Sequence, residues 1–139
     1  MARATLGKEL RFVTKNETGT LGRVTVALEQ EQIFIIHLSA YTVSGKGYFQ
    51  IVTRDNAKAK KALSYFVSEI EERDILIVEF ENKTGTLAPV VKLLGKNDIG
   101  VNYVYGTSGD GFKIVGVFST EDNKRAAELI NKESGHSSG

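Results

Sequence analysis

This chain repeats itself, and the repeat limits what it can fold into more than any other feature. Asn16-Glu17-Thr18-Gly19-Thr20-Leu21 returns 66 positions later as Asn82-Lys83-Thr84-Gly85-Thr86-Leu87. The register holds through Val24 and Val90, Leu28 and Leu94, and Ile33 and Ile99. Eight of these eighteen aligned positions are identical, where unrelated sequences of ordinary composition would share roughly one. Ser44-Gly45-Lys46-Gly47-Tyr48 then matches Ser108-Gly109-Asp110-Gly111-Phe112, and Arg54-Asp55-Asn56 matches Glu121-Asp122-Asn123, at slightly different offsets. The small insertions fall around a hairpin, where they disturb least. The period is too long for the common solenoid repeats and suits two small domains.

Within each copy the apolar period changes in the same order. Leu10 to Thr14 and Ile75 to Phe80 are rich in branched and aromatic residues and stop at a polar, glycine-bearing turn, as a first strand does. Leu21, Val24 and Leu28, and Leu87, Val90, Val91 and Leu94, recur at helical spacing and predict a helix that buries one stripe. Thr20 and Thr86 are placed to cap these helices with their hydroxyls, and Pro89 falls in the first turn, where its missing donor costs nothing. Ile33 to Thr42 and Ile99 to Thr107 read as strands joined by glycine-rich turns to Tyr48–Thr53 and Phe112–Ser119. Asp55 or Asn56, and Asp122, then open a second helix. In the first copy a closing strand over about Phe66 to Ile70 precedes Glu71-Glu72-Arg73-Asp74, a charged stretch that reads as a linker. The expected fold is α+β: two ferredoxin-like βαββαβ modules with antiparallel sheets and helices on one face.

The boundaries that follow are residues 1–72 for the first module, 73–133 for the second and 134–139 for a flexible tail. The second copy lacks an evident last strand, because Asn131 to Gly139 is polar and rich in glycine and serine. Its first strand therefore offers an open edge, to be covered by a homodimer partner or by residues 2 to 8.

Composition agrees with paired modules. With 139 residues, 41% of them hydrophobic, the chain can bury a core, but one copy alone would hide only about 60% of its unfolded surface. Eighteen basic and seventeen acidic residues leave a net charge of +1, so no global field draws nucleic acid or an anionic membrane. Cysteine is absent, which excludes disulfides and thiolate chemistry. No apolar stretch approaches the roughly 18 residues of a membrane span and no signal-peptide core precedes Arg11, so the expectation is a cytoplasmic protein. His37 and His136 have no metal-binding spacing, there is no G-x-S-x-G, and Gly106 to Gly111 lacks the ending of a phosphate loop. No enzyme constellation, metal site or cofactor is expected. Lys46-Gly47-Tyr48-Phe49-Gln50-Ile51-Val52 looks like the aromatic strand of RNA-recognition motifs, but it lacks the small residue between the aromatics and is not repeated in the second copy.

The same residues resemble the ACT domain, a βαββαβ ligand-sensing module. The resemblance rests on a first strand ending in N-x-x-G-x-L, a valine three residues after that leucine, a D-I step into the second strand, a glycine-broken hairpin, and D-N or E-D before the second helix. It covers about residues 9 to 131, and the layout is similar to small stand-alone proteins built from two ACT domains. It implies a non-enzymatic, allosteric protein that binds an amino acid at the seam between two modules and acts on a regulated enzyme. A glycine at positive φ before a helix start could hold the carboxylate, and an asparagine side chain could serve the ammonium or the carboxylate. The implied ligand residues are Asn82, Thr84, Gly85, Thr86 and Leu87, with Gly100 and Asn102 from a second strand, and Asn16, Gly19 and Thr20 in the first copy. The family often carries asparagine where this chain has Phe34 and Gly100. Asn102 could stand in for it in the second copy, and nothing does so beside Phe34. The second copy is therefore the expected ligand site. Each Asn and Gly can equally serve the turn alone, Thr20 and Thr86 can be simple caps, and Tyr103 and Tyr105 can pack. A structural or partner-binding pair without a ligand is the alternative reading.

Overall fold

A computed structural model describes residues 2–15, 18–108 and 111–135. Its elements are β1 (Arg3–Lys15), α1 (Thr20–Gln30), β2 (Ile35–Val43), β3 (Lys46–Thr53), α2 (Asn56–Leu63), β4 (Ile70–Glu81), α3 (Leu87–Lys96), β5 (Val101–Ser108), β6 (Lys113–Thr120) and α4 (Asn123–Glu133). Strand, helix, strand, strand, helix thus occurs twice, and the α+β expectation of two ferredoxin-like modules holds. The chain divides into two compact units, Lys8–Arg73 and Asp74–Gly139 together with Met1–Gly7.

In the Lys8–Arg73 unit β3 lies between β1 and β2, antiparallel to both. Leu10, Phe12, Phe49 and Ile51 turn one face of these strands toward Val24 and Leu28 of α1 and Ala59, Ala62 and Leu63 of α2. The stripe stops one turn short of the expected one, because Leu21 is 49% exposed. In the other unit β6 lies between β4 and β5. Leu76, Val78, Phe80 and Phe118 meet Val90 and Leu94 of α3 and Ala126, Ala127 and Ile130 of α4. Leu87, like Leu21, stays half exposed.

The edge beside β4 is filled from the start of the chain. β1 neighbours β4, and Ala2 and Ala4 are buried among Leu76, Val78 and Ile130. Asn131, fully buried, holds both backbone polar groups of Ala4: its Nδ2 donates to the Ala4 carbonyl and its Oδ1 accepts from the Ala4 amide, each at 2.8 Å. Gly7 packs closely there: a Cβ would lie 3.0 Å from Ile77 Cδ1, so a larger residue would need that methyl to shift. Residues 3–7 thus occupy the place of a closing strand, while Asn131 to Gly135 end α4 and turn.

Two local expectations are corrected. The charged stretch Glu71–Asp74 is not a linker; it lies inside β4, which begins at Ile70, while Phe66 and Val67 belong to a turn rather than a strand. A backbone ladder tolerates polar side chains on both faces when all are solvated, and Arg73 meets Glu71 at 2.9 Å on one of them. Strict alternation along a strand would put His37 on the face of Ile35, and Tyr103 and Tyr105 on the face of Val101. A bulge between Ile35 and His37, and an equivalent one between Val101 and Tyr103, shift the register of both outer strands. Each inserts an extra residue and reverses the alternation. His37 therefore leaves the face of Ile35, and Tyr103 and Tyr105 leave the face of Val101.

The second helix of each copy starts from one repeated network. Thr53 donates through its amide and hydroxyl to Asn56 Oδ1 at 3.1 and 2.8 Å, and Asp55 Oδ1 accepts from the Lys58 amide at 3.1 Å. Thr120, Asn123, Asp122 and Arg125 reproduce it at 2.9, 2.7 and 3.0 Å. Asn56 and Asn123 then donate to the Lys8 and Asp74 carbonyls, which pins each second helix to the first strand of its own copy.

Candidate ligand site

The sequence points to the turn before the first helix of each copy, and the backbone there is the same in both. Gly19 and Gly85 sit at φ +92° and +87°, the left-handed region in which a side chain is strained. Helices α1 and α3 follow at once, and neither start is closed by a side-chain cap. The expectation that Thr86 caps α3 is thus not met, and in the first copy Gly19, not Thr20, stands at the cap position. Thr86 turns its hydroxyl the other way, donating to the carbonyls of Glu81 and Lys83 at 2.9 and 3.1 Å, and so ties the turn together instead of accepting from the helix. At the start of α3 no side chain caps the first-turn amides, which sit at the positive end of the helix dipole.

The walls differ between the copies. In the first, Thr18, Gly19 and Thr20 border a cleft of about 320 Å³ whose other side is Thr14, Tyr41 and Gly47. Thr14 Oγ1 is buried there without a hydrogen-bond partner. In the second, Lys83, Gly85 and Thr86 border a cleft of about 290 Å³ walled by Pro89, Leu93 and Ile130. Lys83 Nζ lies 2.9 Å from Glu81, and that hydrogen bond holds the Glu81 carboxyl below the usual carboxylate range.

The remaining expected residues are spread out. Asn82 is committed to the β5–β6 connection: its amide donates to the Phe112 carbonyl at 2.9 Å and its Nδ2 to the Gly111 carbonyl at 3.1 Å. Thr84 and Leu87 are exposed on the same turn. Gly100 and Asn102 lie near the far end of β6, which runs from opposite Glu81 to opposite Val101, a strand length of roughly 25 Å. The unit therefore does not bring them to the turn. Gly100 is packed under Glu121, whose carboxylate would lie 2.7 Å from a Cβ there, and Asn102 Nδ2 meets Ser119 Oγ at 3.3 Å. Gly19 and Thr20 stand at the first cleft, and Asn16 lies outside the described residues. Leu93 and Ile130 were not expected at a site, because their helical spacing marks them only as core. Among the described residues no group of His, Asp and Glu could hold a metal ion, and no helix is long and apolar enough to cross a membrane.

Comparison with known sequences decides the family. The ACT domain pair matches residues 5–136. This chain belongs to that family. No curated protein sequence matches it. Protein BT0572 from Bacteroides thetaiotaomicron has a solved structure similar to this ACT pair, with 23% identity over 94% of this chain and 90% of that one and a TM-score of 0.86. The regulatory subunit of aspartate kinase from Thermus thermophilus, in its ligand-free form, is similar over 93% and 95% of the two chains, with 12% identity and a TM-score of 0.69. Aspartokinase alpha and beta subunits are similar at 13% identity over 96% and 97%, with a TM-score of 0.67. At these identities the likeness is one of fold.

Proposed function

We propose that this ACT pair is a non-catalytic regulatory protein that binds an amino acid at the Asn82–Thr86 turn and passes its bound state to a partner such as an enzyme. One observation carries the reading: a glycine at positive φ leads straight into a helix without a side-chain cap, beside a cleft large enough for an amino acid. The ligand carboxylate sits on the amides of Gly85, Thr86 and Leu87, with Thr84 at the edge of the turn. Its ammonium lies near Asn82 or near Asn102 and Gly100. Those last two come from a second ACT module, since they lie far from the turn within their own unit, and a homodimer supplies one. Gly19 and Thr20 stand at the corresponding turn of the first copy, with Asn16 the sequence counterpart of Asn82. The structural likeness to regulatory subunits of aspartate kinase supports a regulatory role.

Dye-monitored melting against the twenty amino acids tests the reading. A ligand present at a hundred times its dissociation constant adds about 2.7 kcal/mol, which moves the melting point of a chain of this size by roughly 5 to 10 °C. No response to any amino acid overturns the proposal in favour of a structural or partner-binding pair. The commitment of Asn82 to the Gly111 carbonyl favours that second reading, because it gives the asparagine a purely structural task.

A further inference from the structure

The cleft at the second turn has a chemistry of its own. Its sides are Pro89, Val90 and Leu93 from α3 and Ile130 from α4, and it has far more apolar than polar surface. Two opposite charges stand at its rim: Lys83, just before the turn, and Glu133, the last residue of α4. A ligand complementary to this cleft has an apolar body and carries both a positive and a negative group at one end. Resting on the reading that the turn binds an amino acid, we propose that the cleft receives the ligand's side chain and that the ligand is an amino acid with an apolar side chain. Of the two ammonium positions, this placement takes the one at Asn102 and Gly100 of a second module and adds Glu133 beside it, which leaves Asn82 to its hydrogen bond with the Gly111 carbonyl. The carboxylate lies between the turn amides and Lys83, whose Nζ it shares with Glu81.

This placement makes the ligand's side-chain pocket a property of one unit. Every lining residue belongs to Asp74–Gly139 or to the segment from the start of the chain that packs with it. A second module then completes the ammonium end but does not choose the side chain. The selectivity follows from transfer energetics. Each methylene group moved from water onto the accessible surface of Pro89 and Leu93 raises affinity about fourfold, whereas a hydroxyl or carboxylate there loses its hydration without gaining a partner.

Calorimetric titration of the full chain with leucine, methionine, phenylalanine, serine, aspartate and N-acetyl-leucine tests this. The apolar amino acids are expected to bind at least tenfold more tightly than serine or aspartate. Glu133→Gln should weaken leucine about fivefold, as loss of a solvated charge-assisted contact does, and leave N-acetyl-leucine, which has no ammonium, unaffected. Pro89→Glu puts a charge into the cleft at a position where a helix start favours an acid, so the variant folds and leucine binding is lost. If amino acids bind but polar ones are preferred, or if both variants bind leucine as the parent does, the cleft is not the side-chain pocket while the ligand-sensing role stands. If no amino acid binds at all, both proposals fall.

Discussion

The two copies share a turn and differ in what lies behind it. At the end of the first strand Thr14 faces Gly47 across the ladder, whereas at the same place in the second copy Phe80 faces Ile114. A phenylalanine and an isoleucine fill the space between turn and hairpin, and Phe80 is 3% exposed. Threonine and glycine leave that space open, which is where the first cleft lies, lined by hydroxyls and Tyr41. The second cleft is bordered instead by Pro89 and Leu93 of α3 and Ile130 of α4 and is lined mostly by carbon. Duplication has kept the backbone device that presents helix amides and let the walls diverge. The lesson is that the turn marks where a ligand could be held, and the walls decide which one.

The largest expected effects come from breaking the closure of the second copy. Phe80→Ala removes a fully packed ring and should cost about 3 to 5 kcal/mol, read as a lowered denaturant midpoint. Thr14→Val at the matching site should be neutral or stabilise by about 1 kcal/mol, because it replaces a buried hydroxyl that has no partner. A destabilisation of 2 kcal/mol or more by Thr14→Val would mean that the hydroxyl has work in the free protein. Asn131→Ala leaves both backbone polar groups of the buried Ala4 unpaired and should cost about 2 to 4 kcal/mol. Ser64, its counterpart in the first copy, is exposed and only donates back to the Lys61 carbonyl, so Ser64→Ala should change stability by less than about 0.5 kcal/mol. Equal costs at the two positions would show that the N-terminal segment does not close the second copy.

Next in size is the pair of turn glycines. A Cβ at Gly19 or Gly85 would touch nothing within 4 Å, so Gly→Val acts through backbone strain alone, about 1 to 2 kcal/mol at each site. Stability therefore should not separate the two variants, and ligand response should. Gly85→Val is expected to abolish the amino-acid-induced melting shift on the folded fraction, while Gly19→Val retains most of it. An unchanged shift in Gly85→Val would detach the ligand from this turn.

The fold was largely legible because duplication reads every element twice. Helix stripes, hairpin glycines and the Asp that opens each second helix all appear at matched positions. Even there the reading stopped early: Thr53 and Asn56, and Thr120 and Asn123, flank those aspartates in both copies, and their repeated hydrogen bonds could have been inferred from the pattern Thr-x-Asp-Asn. The bulges at Ile35/His37 and Val101/Tyr103 gave no signal, since one unpaired residue changes the ladder without changing composition. Glu71–Asp74 misled because charge marks solvent exposure, not the lack of a strand. Residues 2 to 8 are one of two expected covers for the open edge, but Arg3-Ala4-Thr5-Leu6-Gly7 has no pattern strong enough to choose it over a second copy. At the site, the glycines at positive φ were legible from their place in the turn. The cleft walls were not, since Leu93 and Ile130 carry the same helical spacing whether they face core or ligand.

The smallest effect isolates the one imidazole among these outer strands. The bulge turns His37 onto the face opposite Ile35, opposite Val52 in the ladder, and partial burial there lowers its pKa from the ordinary 6.5 by desolvation. Above that value both folded and unfolded chains hold it neutral and it contributes no pH dependence. As pH falls through 6.5 the unfolded chain takes up the proton first, so stability declines, and the decline levels off once pH passes the lowered folded value. His37→Gln should remove this component, so that the parent loses stability relative to the variant between about pH 7 and pH 5. The matching place in the second copy holds Tyr103 and no imidazole, so Tyr103→Gln is the control for removing a ring at this position. Comparing each variant with the parent cancels the carboxylates and His136, which both chains keep. A parent and a His37→Gln variant with parallel stability curves over this range would show that the histidine is solvated in both states, and that the bulge does not carry it against Val52.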